Sequence, residues 1–290
     1  MIYLTVQRPS YRMPRILLIV ISLLLGSVCA PAQTSGPLPD PAELIRRLDD
    51  NQKNVERLRR NYICLVQQEI TQLDKEGNAK KVEHREYDEW YVAGEPIRRT
   101  ISRDGVPLND DEKRKEEKRV AEREKEARGR QAMRERGEHD NDDLTIRDFL
   151  RSSRFLNLRR EVHDGRELLA MDFQPNPDFK PHGRAENFAS RLEGSVWIDE
   201  HDLQVARLEA RFTKGMRFAG FLAAVKEGSH AVFEQARIND EVWMPTVVDA
   251  NVDGRVLFKG VNQRFVNRFS NYRRFTTTSK VLGVIDEQPK

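Results

Sequence analysis

Asp199-Glu200-His201-Asp202 puts three carboxylates and an imidazole into one short stretch, a set of groups able to ligate a divalent metal. Consecutive residues on a tight turn point in divergent directions, and no second cluster stands at ligand spacing. His84, His139, His163, His182 and His230 occur singly. A solvated polar turn is therefore expected, with no metal. Glu83, His84, Glu86, Asp88 and Glu89 form a second acidic run on a strand candidate. Two such carboxylates facing a cleft could do acid–base work, but an exposed strand face is the simpler reading. There is no Gly-x-Ser-x-Gly elbow, no phosphate-cradling glycine loop and no His-Glu-x-x-His. The chain reads as a non-enzyme with no cofactor.

A third pattern concerns binding. In "GSVWIDEHDLQVARLEARF", Ala206, Leu208, Ala210 and Phe212 alternate with Arg207, Glu209 and Arg211. That is a strand with one dry and one wet face. The small alanines leave room on the dry face, for a packed helix or for a ligand. Trp197 and Trp243 could add apolar surface to the same space or fill a core there. These six residues, Trp197, Ala206, Leu208, Ala210, Phe212 and Trp243, are the candidate ligand-binding set.

The elements that would position them follow from the rest of the chain. Arg8, Arg12 and Arg15 precede a short apolar run, Ile16 to Leu25, and Ala30-Pro31-Ala32 follows. This is the anatomy of a secretory signal peptide over residues 1–32, cleaved after Ala32, with Met1 or Met13 as the start. The expected location is the periplasm. A lipid anchor at Cys29 is the alternative, but Val28 is a poor residue before a lipidated cysteine. The precursor holds 50 Lys and Arg against 47 Asp and Glu; without the signal the two signs balance, and no bulk charge argues for nucleic acid. Cys64 is then the sole cysteine, read as a small buried hydrophobe.

Residues 33–290 are read as one α+β domain. Asp40 and Pro41 open an amphipathic helix carrying Leu44, Leu48, Val55 and Leu58 on one side. Strand candidates follow over 61–73, 79–94 and 95–105, with turns near Gly77-Asn78, at Gly94-Glu95-Pro96 and at Asp104-Gly105. An insertion at about 107–143 contains a charged helix, Asp110 to Arg136, with acid-to-base pairs Asp111–Lys115, Glu124–Arg128 and Glu126–Arg130. It is expected to be solvated, to break near Gly129 and to end at Gly137, and it offers a surface to an envelope protein partner. After the flexible "EHDNDD" and a short helix over 144–155 the chain is β-like. Hairpins are expected at His163-Asp164-Gly165 and in the stretch above, a Pro-rich loop over 175–187, and turns at Asn239-Asp240 and Asp253-Gly254. Together these give one meandering antiparallel sheet.

With its N-terminal amphipathic helix and sheet, the sequence resembles bacterial outer-membrane lipoprotein-sorting proteins of the LolA-like superfamily. Gly194 to Asp199 resembles the family's Gly-x-x-x-Ile-Asp hairpin, and Trp243-Met244-Pro245 its later strand with an apolar-Pro step. The resemblance spans roughly Asp40 to Ser102 and Leu156 to Phe275. It implies a large curved antiparallel sheet, an unclosed β-barrel, with helices on its concave side and a hollow that takes lipid or an acylated lipoprotein. The charged insertion departs from the family's compact pattern, and no family site residue is carried over. The reading that competes with lipid binding is an interaction module with a filled core, working through the charged helix.

Overall fold

Helix α1, Pro41–Arg59, forms where the sequence starts it: Asp40 Oδ1 accepts from Glu43 N at 2.9 Å, the N-cap bond that satisfies an otherwise orphaned amide. Arg46 bridges Glu43 and Asp50 on the exposed side, while Leu44, Ile45, Leu48 and Val55 are buried. The computed structural model describes residues 36–136, 149, 151–163, 165–218, 223–256 and 259–274. The export signal, its cleavage at Ala32, Cys29, the stretch Glu138–Asp143 and most of the short helix expected over 144–155 lie outside the described residues. Residues from Leu38 onward group as one compact unit.

Among the described residues thirteen strands build a single antiparallel sheet. They are β1 (Tyr62–Leu73), β2 (Ala79–Val92), β3 (Glu95–Arg103), β4 (Val106–Pro107), β5 (Ser153–His163), β6 (Arg166–Pro175), β7 (Leu192–Asp199), β8 (Gln204–Phe212), β9 (Met216–Phe218), β10 (Ala223–Val225), β11 (His230–Ile238), β12 (Val242–Val256) and β13 (Lys259–Arg274). The order is β4-β3-β2-β1-β13-β12-β11-β8-β7-β6-β5, with β10 joining β12 to β9. The sheet is not closed, since β4 and β5 end it on opposite sides. Most neighbours are hairpins; the pairing of β1 with β13 brings the two ends of the domain together.

Turn chemistry explains the hairpins. Ala93-Gly94, Asp104-Gly105 and Asn239-Asp240 each place two successive residues at positive φ, the twist that two-residue hairpins require. The first of these sits one residue earlier than the sequence suggested. The turn expected at Asp253-Gly254 does not exist: β12 runs straight through it. A Cβ on Gly254 would stand 2.2 Å from Ala224 O, so this glycine serves the close approach of β10 to β12. The Pro-rich loop also ends in a short helix, α3, Arg184–Ala189, that composition did not reveal.

The charged helix α2, Asp110–Glu135, is uninterrupted at Gly129, contrary to expectation. A capping box between Asn109 and Glu112 starts it. Glu124–Arg128 and Glu126–Arg130 pair as the spacing implies, whereas Asp111 pairs with Arg114. Nor is it solvated all round. Trp90 Nε1 donates to Glu124 at 3.1 Å, Arg130 Nε to Glu95 at 2.9 Å, and Ala127 is fully buried. Trp90, Glu95 and Ile97 share one side of β2–β3, so α2 docks on that side through polar contacts.

Candidate functional site

Alternation along the central strands decides which residues face α1. Leu169 and Met171 of β6, Val196 and Ile198 of β7, and Leu44, Ile45 and Leu48 of α1 form one buried cluster. Asn51 of α1 donates to Asp202 O at 3.1 Å, tying the helix to the β7–β8 turn. The last turn is held as well: Leu58 packs with Val242 and Met244 of β12, and Arg59 Nε donates to Trp243 O at 3.1 Å, so helix and sheet meet in the first half of α1 and again at its end. Between them lies a cavity of about 530 Å³. Ile45 and Leu48 line it from α1, and Met171, Leu192, Val196 and Ile198 from β6 and β7. Val205, Leu208, Ala210 and Phe212 come from β8, Val225 from β10, and Ala231, Ala250 and Val252 from β11 and β12. Phe188 of α3 meets Phe212 edge-on at 5.0 Å, and Phe149 meets Phe173 at 4.9 Å. The polar members are Ser229, His230 and Asn251.

The magnitude separates a void of this kind from a packing fault. Protein interiors hold few gaps larger than a water molecule, and an apolar cavity of roughly 150 Å³ already stays dry and binds benzene. The space under α1 exceeds that threefold. It falls within the range of about 300–1,000 Å³ typical of small-molecule sites.

Of the six residues selected from sequence, Leu208, Ala210 and Phe212 line the cavity. Ala206, Trp197 and Trp243 do not; they pack with Leu168 on the other face of the sheet. For Trp197 the cause is plain alternation, since Val196 and Ile198 on either side of it face inward; for Ala206 it is a β-bulge. Ile198 pairs with Val205 but Trp197 with Arg207, leaving Ala206 as an extra residue, and one extra residue reverses the side on which the next side chain lands. Val205 therefore faces inward although its parity suggested otherwise. Trp197 Nε1 donates to Glu161 at 2.6 Å, and the Arg207 guanidinium lies 5.7 Å from the Trp197 ring. The Trp197 and Arg159 donors hold the Glu161 carboxyl below its usual range. Arg207 is paired with Glu209 and Glu234. Sequence reasoning missed Phe188, Val225 and the α1 contribution of Ile45; α3 and β10 are too short to print a periodicity.

Gly194 lets β7 and β8 close up opposite Ala210. A Cβ there would stand 1.8 Å from Glu209 O, so no other residue fits without moving the strands.

The other chemistry-bearing stretches are absorbed by structure. Asp199, His201 and Asp202 can bring ligand atoms within 4.8 Å of one another. The carboxylates already accept from Arg166 (3.1 Å, Asp199) and from Trp243 Nε1 (2.7 Å, Asp202), and Arg237 adds its charge at 3.4 Å. Burial pushes the Asp202 carboxyl up, but His201, Trp243 and Arg237 outweigh it and hold it low. These bonds brace the hairpin. The acidic run on β2 divides between two faces. Glu83 pairs with Lys81, Glu86 with Ser102, Asp88 with Arg99 and Glu89 with Arg98. Cys64 is buried beside Tyr87 and Phe269, and burial, reinforced by the Glu89 charge, pushes its thiol up to about 12, so it is not a nucleophile.

No protein-family model and no curated protein matches the sequence. Solved structures do match in fold. One is an outer-membrane lipoprotein-sorting protein domain from Vibrio parahaemolyticus, at 10% identity and TM-score 0.33, covering 81% of this chain and 95% of that one. A DUF1329 family protein from Desulfovibrio piger matches at 13% identity and TM-score 0.33, covering 83% and 96%. A LolA superfamily protein from Nitrosomonas europaea matches at 8% identity and TM-score 0.29, covering 80% and 94%. The chain thus resembles LolA-like proteins loosely, at the level of fold.

Proposed function

We propose that this is an exported, non-enzymatic envelope protein of the periplasm that binds lipid or an acylated ligand, such as a lipoprotein, between α1 and the concave sheet, for sorting, transport or sensing. The cavity is the observation that supports this reading. It is large and lined almost wholly by aliphatic and aromatic side chains, and among the described residues its walls carry no ion pair to position a polar substrate. Burying an acyl chain is worth about 0.8 kcal/mol per methylene, so eight methylenes contribute roughly 6 kcal/mol before the cost of ordering the chain. No array of polar groups is needed for useful affinity.

Asp110 to Arg136 is the surface considered for an envelope protein partner. Its inward side is occupied by Trp90, Glu95 and Thr100, which leaves only the outward side for another protein. The test of the lipid reading is substitution of Leu208 and Phe212 by aspartate. Retention of lipid by the purified protein should be abolished while the circular-dichroism spectrum stays β-rich. Undiminished retention in a folded double variant would defeat the reading. Deleting the outward charges of α2 should leave retention intact.

A further inference from the structure

The concave face carries a second feature that the cavity itself does not use. Arg98, on β3, holds its guanidinium carbon 5.5 Å from the centre of the Tyr87 ring and 6.0 Å from that of Phe269. Its Nε donates to Glu89 Oε2 at 2.6 Å, and Glu89 is only 3% exposed. The Arg98 side chain keeps 31% of its exposure. Its two terminal nitrogens, four N–H donors between them, meet no acceptor among the described residues and are not sealed from solvent. Folding therefore uses one donor of five, while two rings and a buried carboxylate fix the plane. A fork held in this way suits bidentate recognition of a phosphate or carboxylate. A surface arginine on a free stem would lose rotamer freedom on binding; this one has already lost it.

Its position matters as much as its geometry. Val248 of β12 packs against the Tyr87–Phe269 cluster. Ala250, two residues along the same strand and on the same side, lines the cavity. Two strand residues span about 7 Å, so the ring cluster that carries the fork adjoins the apolar space on one continuous surface. Arg98 itself, on β3, stands four strands from β12, about 19 Å along the sheet at the usual strand spacing, a span that the ligand's chain would have to cross. The ledge between them is polar: Tyr87 Oη donates to Gln68 at 3.0 Å, and Gln68 Nε2 to Asn267 at 2.8 Å.

We infer that Arg98 receives the anionic head, phosphate or carboxylate, of an amphiphile whose apolar chain occupies the cavity. This rests on the lipid reading above and adds to it the charge of the ligand. Because Glu89 neutralises Arg98, selectivity comes from the fixed donors at short range and not from a long-range field.

The experiment titrates delipidated protein with lysophosphatidic acid and with the monoacylglycerol of the same acyl chain. The variants are Leu208→Asp and the double variant Arg98→Gln with Glu89→Gln, which removes both charges and leaves no buried carboxylate unpaired. The wild type should hold the phosphate-bearing lipid at least tenfold more tightly, and in the double variant the two affinities should converge on the monoacylglycerol value. Leu208→Asp should lose both. Should the double variant not fold, Arg98→Lys keeps the charge without the fork and should lose most of the preference. Equal affinities in the wild type, or a tenfold preference surviving in the double variant, overturn the inference while leaving the cavity reading intact. Binding of neither lipid by the wild type defeats the cavity reading itself. Inorganic phosphate competing as well as the lipid, mole for mole, would mean that the free anion is what is recognised, and would also overturn the inference.

Discussion

Ala210→Leu separates a binding cavity from a packing fault, because filling the space raises stability under either account but costs affinity only where the ligand occupies it. Ala210 lines the cavity opposite Gly194, and leucine there adds three carbon atoms to the space. In the ligand-free protein those atoms bury apolar surface without displacing any side chain, and cavity filling of this kind commonly adds about 0.5–2 kcal/mol of stability. In the liganded protein they exclude about three methylenes of the acyl chain, at roughly 0.8 kcal/mol each. The loss is about 2.4 kcal/mol, or roughly sixtyfold in affinity. The assay is displacement of a fluorescent fatty acid, paired with thermal unfolding of delipidated protein. The expected result is a higher melting temperature together with weakened binding. A raised melting temperature with affinity unchanged to within twofold would refute the reasoning, since the ligand would then sit elsewhere.

Other consequences follow from particular contacts. Gly194→Ala should destabilise the fold by a few kcal/mol, read as a fall in melting temperature, because its Cβ meets Glu209 O at 1.8 Å. Trp197→Phe should leave fatty-acid affinity unchanged, since its ring lies on the far face with Ala206 and Trp243; a large loss would mean that the ligand does not sit in the cavity. Glu116, where α2 meets β3, is raised by burial but more strongly lowered by Arg119 and the Thr100 N–H, to about 2. A carboxyl depressed in the folded state stabilises above its unfolded value and loses that contribution as pH falls through the folded one. Protection of the α2 amides against hydrogen exchange, taken relative to the intrinsic rate at each pH, should therefore fall between about pH 4.5 and pH 2, and Glu116→Gln should flatten the change.

The sequence made some of this legible for physical reasons. The Asp40 cap, the Leu44–Leu48 stripe and the hairpin glycines act over a few residues, and local rules read them. The alternation of Leu208, Ala210 and Phe212 was correct because β8 is regular from Arg207 onward. The same rule failed at Ala206, where a bulge leaves no compositional trace; Trp197 and Trp243 were chosen for their size and not by alternation, and both pack on the far face. Gly254 looked like a turn because glycine serves turns and close backbone approaches alike. The docking of α2 was hidden because its inward side is made of Glu116, Glu124 and Arg130, which read as solvent-facing until Trp90, Thr100 and Glu95 are placed beside them. The cavity could not be read at all. A filled core and a hollow one demand the same alternation, and the difference is set by how far α1 and α3 stand off the sheet.

The most direct test of the central claim is native mass spectrometry of the protein exported in a bacterium and purified without detergent, with organic extraction of whatever is bound. The account predicts an adduct that extracts as an acyl-chain amphiphile and is absent from the Leu208→Asp protein. A bare mass that stays bare after incubation with phospholipid and fatty acid would contradict it.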